Sequence, residues 1–271
     1  MMTAVTMWER CCVPSLLHGA GTWVEITPAT VRRLNATQQW YWRLIYQVGP
    51  GAPLASLSWD QTCLDMGVRV MQQKVLLALH LRYLDQESLA HLVYLEQQAM
   101  GWPGLASEVE EICGELNIEN VNTTKYNKSD YKKILVQACH IRNEAILRKM
   151  SEGKEKCSRM THEEYRQKDY MEEKNISEVR NIYRSRFGQR AFAGNFSKDN
   201  TYRKSNWMCM CGESKEKEKH IKSYDCPVYS DIRAEFTNFD QDEDLVAYFN
   251  MVLERRDKIS SMEQDERDFH D

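Results

Sequence analysis

Apolar residues recur along most of this chain at intervals of three and four, the repeat that puts side chains on one face of an α-helix. Thr27-Pro28 offers a capping hydroxyl followed by a proline, a good helix start, and Val31, Leu34, Tyr41, Leu44, Ile45 and Val48 hold helical spacing up to Gly49-Pro50-Gly51. Leu64, Val68, Met71, Val75 and Leu79 mark a second helix ending near Tyr83. A third spans 86–100 and is stopped by Gly101-Trp102-Pro103-Gly104, and Leu105, Val109, Ile112 and Leu116 line a fourth. Before these, Met1–Leu17 has helical character limited by Pro14 and broken at Gly19 and Gly21. Beyond a polar linker at 117–127, a basic helix is expected from Ser129 to about Met150. The charged stretch 151–174 reads as flexible or as a solvent-exposed helix, and 176–190 as an Arg-rich helix followed by a loop. Leu245, Val246, Phe249, Val252 and Leu253 define a last amphipathic helix over 240–256.

The expected fold is therefore mainly α. A helical domain occupies about 1–118, a basic helical connector 119–206, a small Cys/His domain with a closing amphipathic helix 207–258, and a disordered tail 259–271. Only 6 Pro and 12 Gly in 271 residues argue against a loop-rich β-sandwich. No run of apolar residues is long enough to span a membrane, so no membrane partner is expected. The N-terminus lacks a basic stretch followed by an apolar run, so the chain is placed in a reducing intracellular compartment, nuclear or cytoplasmic. There the 9 cysteines are thiols or metal ligands.

Charge sharpens this picture. The net charge of −4 conceals a net of −5 over 1–120, +9 over 121–206 and −8 over 230–271. A basic middle between acidic ends points to a polyanion contact confined to the middle.

The most specific chemistry is Cys209-Met210-Cys211-Gly212, then His220, then Cys226-Pro227, a Cys-x-Cys-x8-His-x5-Cys pattern. Three thiolates and an imidazole suit a tetrahedral structural zinc ion. The segment between them is charged and nearly free of apolar residues, so it cannot build a core, and metal is the natural organiser. His220 and Cys226 would lie on different faces of a continuous helix, so the backbone should break near Ser223-Tyr224-Asp225. The remaining cysteines, Cys11, Cys12, Cys63, Cys113, Cys139 and Cys157, lack such spacing and read mostly as small apolar fillers.

Three passages resemble the C-terminal region of non-LTR (LINE-type) retrotransposon endonuclease–reverse transcriptases. Pro14-Ser15-Leu16-Leu17-His18-Gly19-Ala20-Gly21-Thr22-Trp23 is similar to that family's P-x-L-L-y-G-x-x-T-W segment after the polymerase palm. Val31 and Leu34, Gln38, Trp40-Tyr41-Trp42-Arg43, then Pro53, Leu57 and Gly67, are similar to its thumb helices. The Cys/His block with Cys226-Pro227-Val228-Tyr229 and Asp231-Ile232-Arg233 resembles its zinc knuckle. The resemblance implies a thumb-like domain and a zinc-knuckle domain that bind template RNA or target DNA, single-stranded or as template–primer, beside an upstream polymerase domain, in target-primed reverse transcription. The family's adjacent Asp pair, on which polymerisation depends, occurs nowhere in the chain. No catalytic residue is therefore assigned, and the chain is expected not to be an enzyme by itself.

With the resemblance, the basic and aromatic run is assigned to nucleic acid: Arg180, Arg184, Arg190, Lys198, Arg203 and Lys204 for phosphates, Phe187 and Tyr202 for stacking on unpaired bases. The alternative is a helical interaction protein or decayed element remnant, with the aromatics in a core and the arginines solvated. A metal-dependent nuclease using Asp240, Asp242, Glu243 and Asp244 is the weakest reading, since these acids begin an amphipathic helix, where they complement its dipole.

Overall fold

The computed structural model describes residues 2–24, 26–154, 156, 157, 160, 162–189, 208–222, 226–236, 239 and 241–268. Among these the protein is helical, and the only β-type pairing is an isolated bridge between Met208 and Lys215. The helices are α1 (Met2–Met7), α2 (Val13–Leu16), α3 (Pro28–Tyr46), α4 (Ser56–Trp59), α5 (Met66–Arg82), α6 (Leu89–Met100), α7 (Leu105–Glu115), α8 (Lys128–Ser151), α9 (Tyr170–Glu173), α10 (Ile176–Arg186), α11 (Glu218–Lys222), α12 (Ser230–Ala234) and α13 (Asp242–Asp268). A π-helical turn, Trp8–Cys12, joins α1 to α2. None of the helices is long and apolar enough to cross a membrane.

The chain divides into two compact units, 1–45 with 53–173 and 46–52 with 174–271. In the first, α5 is the central helix. Its buried Val68, Val75, Ala78 and Leu79 meet Tyr94 of α6, Val109 and Ile112 of α7, and Tyr131, Leu135 and Cys139 of α8. The turn before α3 approaches α5 closely, so a Cβ on Gly21 would lie 3.1 Å from the Leu77 Cβ. Three polar side chains hold α3, α5 and α8 in register. Asp65 caps α5 by accepting from the Gly67 amide at 2.8 Å, and Asn35 donates to Asp65 at 2.6 Å. Asn143 of α8, fully buried, accepts from the Asp65 amide at 2.7 Å and donates to the Cys63 carbonyl at 3.2 Å. The buried Asn143 amide thus meets the Asp65 and Cys63 backbone groups, as an apolar interior requires.

This core corrects the expected boundary at 118. Tyr131, Leu135, Ala138 and Cys139 are α8 residues inside the same cluster as α5–α7, so α8 completes the first domain and does not lead out of it. The 151–174 stretch is also packed where described. Cys157, Met160 and Met171 are fully buried, the Tyr165 ring lies 5.0 Å from that of Trp59, and the Tyr170 hydroxyl donates to buried Asp60. Arg148, whose guanidinium lies 5.1 Å from the Trp59 ring, donates to the carbonyls of Met160 and Glu163. A few tyrosines and methionines among many charges suffice, because each is placed against an existing core.

The second unit joins α10–α13 to the short segment 46–52. Asn175 and Glu178 form a reciprocal capping box at the start of α10. Tyr183 of that helix stacks on Tyr46, with centroids 3.8 Å apart and ring planes at 11°. Buried Arg186 pairs with both carboxylate oxygens of Asp242, at 3.0 and 3.1 Å. The backbone of α13 stays helical to Asp268, where a disordered tail from 259 was expected.

Candidate metal centre

Cys209 and Cys211 sit on a tight hairpin turn closed by hydrogen bonds from the Cys209 amide to the Ser214 carbonyl at 2.7 Å and from the Gly212 amide to the Cys209 carbonyl at 2.8 Å. Gly212, with φ of 77°, takes the left-handed conformation that lets the chain reverse directly after the second thiol. His220 stands on α11, which ends at Lys222, and Cys226 is extended, with φ −92° and ψ 108°. The helix therefore does end between His220 and Cys226, and 223–225, where the break was expected, lie outside the described residues.

The four ligand atoms, three Sγ and one imidazole nitrogen, all lie within 4.8 Å of one another. Cys209 Sγ and Cys226 Sγ are 3.6 Å apart, and Cys211 Sγ is 3.1 Å from His220 Nε2. A tetrahedron with metal–sulfur bonds of about 2.3 Å has edges of about 3.7 Å, so the set needs only small adjustments to close on one ion. Cys209, Cys211, His220 and Cys226 could thus hold a metal ion. Burial pushes the Cys209 thiol up to about 12 and raises that of Cys226 as well. Thiols in such surroundings ionise when a cation is there to receive the charge.

Behind the cluster is a clamp whose Arg233 the sequence reading named only as part of the resemblance and whose Tyr248 it did not name. Arg233 of α12, buried, donates to the carbonyls of Ile221 and Cys226, both at 2.7 Å. The Tyr248 hydroxyl of α13 donates to the same Ile221 carbonyl at 2.6 Å. The backbone beside two of the ligands is thereby anchored to both helices. Ile221, Tyr229, Ile232, Leu245, Tyr248, Phe249 and Val252 form the apolar cluster around Cys209 and Cys226. The signal for Arg233 was present in the passage Cys226-Pro227-Val228-Tyr229 and Asp231-Ile232-Arg233, where it lies six residues beyond Pro227. On the surface, Arg255 grips both oxygens of Asp231 at 2.5 and 2.7 Å and holds that carboxyl down at about 2.

The expected nucleic-acid residues fare differently. Arg190, Lys198, Tyr202, Arg203 and Lys204 lie outside the described residues. Phe187 is completely buried, its ring 4.9 Å from that of Tyr183, so its assignment to base stacking is corrected: it is a core residue. Its i, i+4 relation to Tyr183 builds an apolar edge on α10, and the adjacent arginines hid that edge in the sequence. Arg180 and Arg184 are half-exposed, one turn apart. Arg184 donates to the backbone and side-chain oxygens of Gln47 at 2.9 and 3.2 Å, and burial with the nearby Arg180 charge lowers its pKa. Two like cations so placed favour an anion beside them. Of the acids at the start of α13, Asp242 is held by Arg186 and Glu243 lies 3.9 Å from Lys174.

Compared with known protein families, with curated proteins and with solved structures, the chain matches none.

Proposed function

We propose that the second unit is a zinc-knuckle module in which Cys209, Cys211, His220 and Cys226 hold one structural zinc ion, and that the chain is a non-catalytic nucleic-acid-binding portion of a retrotransposon reverse transcriptase in a reducing intracellular compartment. The observation that carries the metal part is the convergence of the four donors within 4.8 Å. Zinc is favoured by the donor chemistry, since three soft thiolates and an imidazole match it better than oxygen-seeking cations. Four protein donors fill a tetrahedral shell and leave no position for substrate, which makes the role structural.

The nucleic-acid part is supported by the resemblance in three ordered passages and by the +9 net charge over 121–206. With Phe187 in the core, the reading rests on phosphate contacts by Arg180, Arg184 and their basic neighbours. The zinc-loaded chain should bind single-stranded RNA or DNA with an affinity that falls steeply with salt. Arg184→Ala together with Arg190→Ala should reduce both the affinity and the salt slope. Binding that is negligible at low salt in the folded, zinc-loaded chain would leave the helical interaction protein as the reading to keep.

A further inference from the structure

Helix α6 is apolar on the side it turns to solvent. Leu89, Leu92, Val93, Leu95 and Met100 are all exposed, Leu89 by 75 % and Met100 by 60 %, and Trp102 continues the face beyond the C-terminal Gly101. Only His91 and Tyr94 of this helix are buried. At 100° per residue Leu89, Leu92, Val93, Glu96 and Met100 fall on one stripe, with Glu96 its only charge. The stripe borders a groove of about 660 Å³ lined by Trp23, Val24, Leu77, Leu81, Val93 and Leu105. Contiguous exposed apolar faces of this kind mark interaction sites.

The charge around the face selects its occupant. Between Arg82 and Lys125 the chain has 8 acidic residues and no Lys or Arg. Glu108 is paired with Lys74 and Glu115 with Arg142, whereas no cation pairs with Asp85, Glu87 or Glu96 among the described residues. Asp85 and Glu87 stand just before the N-terminal end of the stripe and Glu96 on it. We propose that this face of α6 docks a basic amphipathic helix of another polypeptide, its apolar side in the groove and its Lys or Arg side chains on Glu96 and on the Asp85–Glu87 end. Glu96 lies seven residues beyond Leu89, about 10 Å along the axis from the helix start before which Asp85 and Glu87 stand, so the partner's cations are at least about that far apart. A second copy of this chain would bring the same unpaired acids against them, and anionic lipid or nucleic acid would be repelled by them.

The test uses the full zinc-loaded chain with a synthetic Leu/Lys amphipathic helical peptide and its Leu/Glu counterpart as probes. The Leu/Lys peptide should bind with an affinity that falls as salt rises, and should slow amide exchange over 89–102. The Leu/Glu peptide should bind at least about tenfold more weakly. Leu92→Gln with Val93→Gln, which keeps every acid, should weaken Leu/Lys binding by about tenfold or more, because both side chains are half-exposed anchors and the fold survives their loss. Glu96→Lys should weaken Leu/Lys binding and strengthen Leu/Glu binding. Leu/Lys affinity unchanged in the Leu92/Val93 variant would reduce the effect to bulk acidity and overturn the proposal. So would self-association abolished by that variant, or partition of the chain onto neutral phosphatidylcholine vesicles through α6.

Discussion

The two units solve the same problem with different materials. The first buries an ordinary helical core, in which Val75, Ala78 and Leu79 of α5 are fully enclosed by α6, α7 and α8. The second has a smaller cluster, two of whose fully or nearly fully buried members, Cys209 and Cys226, are thiols facing each other. A core made of aliphatic contacts gains stability from the area it buries, whereas a cluster edged by three thiols and an imidazole would gain it from the proposed metal. The lesson is that the first unit should respond to changes in volume and the second to changes in metal.

The largest expected effect comes from removing the proposed zinc ion. Structural zinc sites contribute on the order of 10 kcal/mol of apparent folding free energy near neutral pH. Chelation, or Cys226→Ser, should therefore unfold 208–236 and release much of the amide protection in α11–α13, while α5, α7 and α8 keep theirs. Hydrogen exchange with and without chelator, together with elemental analysis for one zinc per chain, reads this directly. Equal loss of protection in α5 and α13 would dissolve the contrast between the units.

The same contrast explains what could be read in advance. Helices with a clean apolar stripe, such as α5 and α7, are visible in sequence because period alone reveals them. The Cys/His quartet is visible because its residue types are chemically exceptional in so short a window. The place of α8 is not, since Tyr131, Leu135 and Cys139 are embedded among lysines and arginines and only the tertiary packing shows which face counts. Likewise Asp60, whose partners Tyr170 and the Lys168 amide are over a hundred residues away, offers no local signal. Phe187 was misread for a related reason: an aromatic among arginines has the same sequence signature whether it stacks on a base or packs, tilted, against Tyr183.

Next in size are two core truncations, one in each unit. Phe187→Ala and Leu79→Ala both empty fully buried sites and should cost about 3–5 and 2–5 kcal/mol. Monitored by exchange, Phe187→Ala should weaken α10 and α13, and Leu79→Ala should weaken α5–α8. Phe187→Ala in zinc-loaded protein that kept full stability but lost single-stranded RNA binding would restore the stacking role denied above.

A smaller loss is expected from Arg233→Met, which takes the guanidinium donor from the Cys226 carbonyl and leaves the Ile221 carbonyl with Tyr248, at about 1–3 kcal/mol if no water replaces the guanidinium. Its more telling consequence is on the metal. Loosening the backbone at Ile221 and Cys226 should lower zinc affinity by roughly 10–100-fold, the scale seen when groups that orient ligands are removed. A chelator competition giving unchanged zinc affinity for Arg233→Met would show that the clamp serves packing alone.

The smallest effect is that of acid on the first unit, and it separates the units by mechanism. In the second unit, protons would compete with the proposed zinc for thiolates and imidazole, so mild acid should release it with the large effect of metal removal. In the first, His140 of α8 is half-buried, and burial with the charge of Arg69 lowers its pKa from 6.5, while Glu9 works in the opposite direction. Glu9 is bound to Arg69 through both oxygens, at 2.5 and 2.9 Å, which offsets part of the cation's field. Because the folded protein prefers neutral histidine, this contribution is complete above pH 6.5 and is lost as pH falls through that value toward the folded pKa. Solvent screening of a half-exposed ring keeps the loss small next to the core truncations. An NMR titration should place His140 below 6.5, and Glu9→Gln should move it lower still by freeing the Arg69 charge. A midpoint that rose in Glu9→Gln would mean that Arg69 does not act on the ring, leaving burial alone to set its proton affinity.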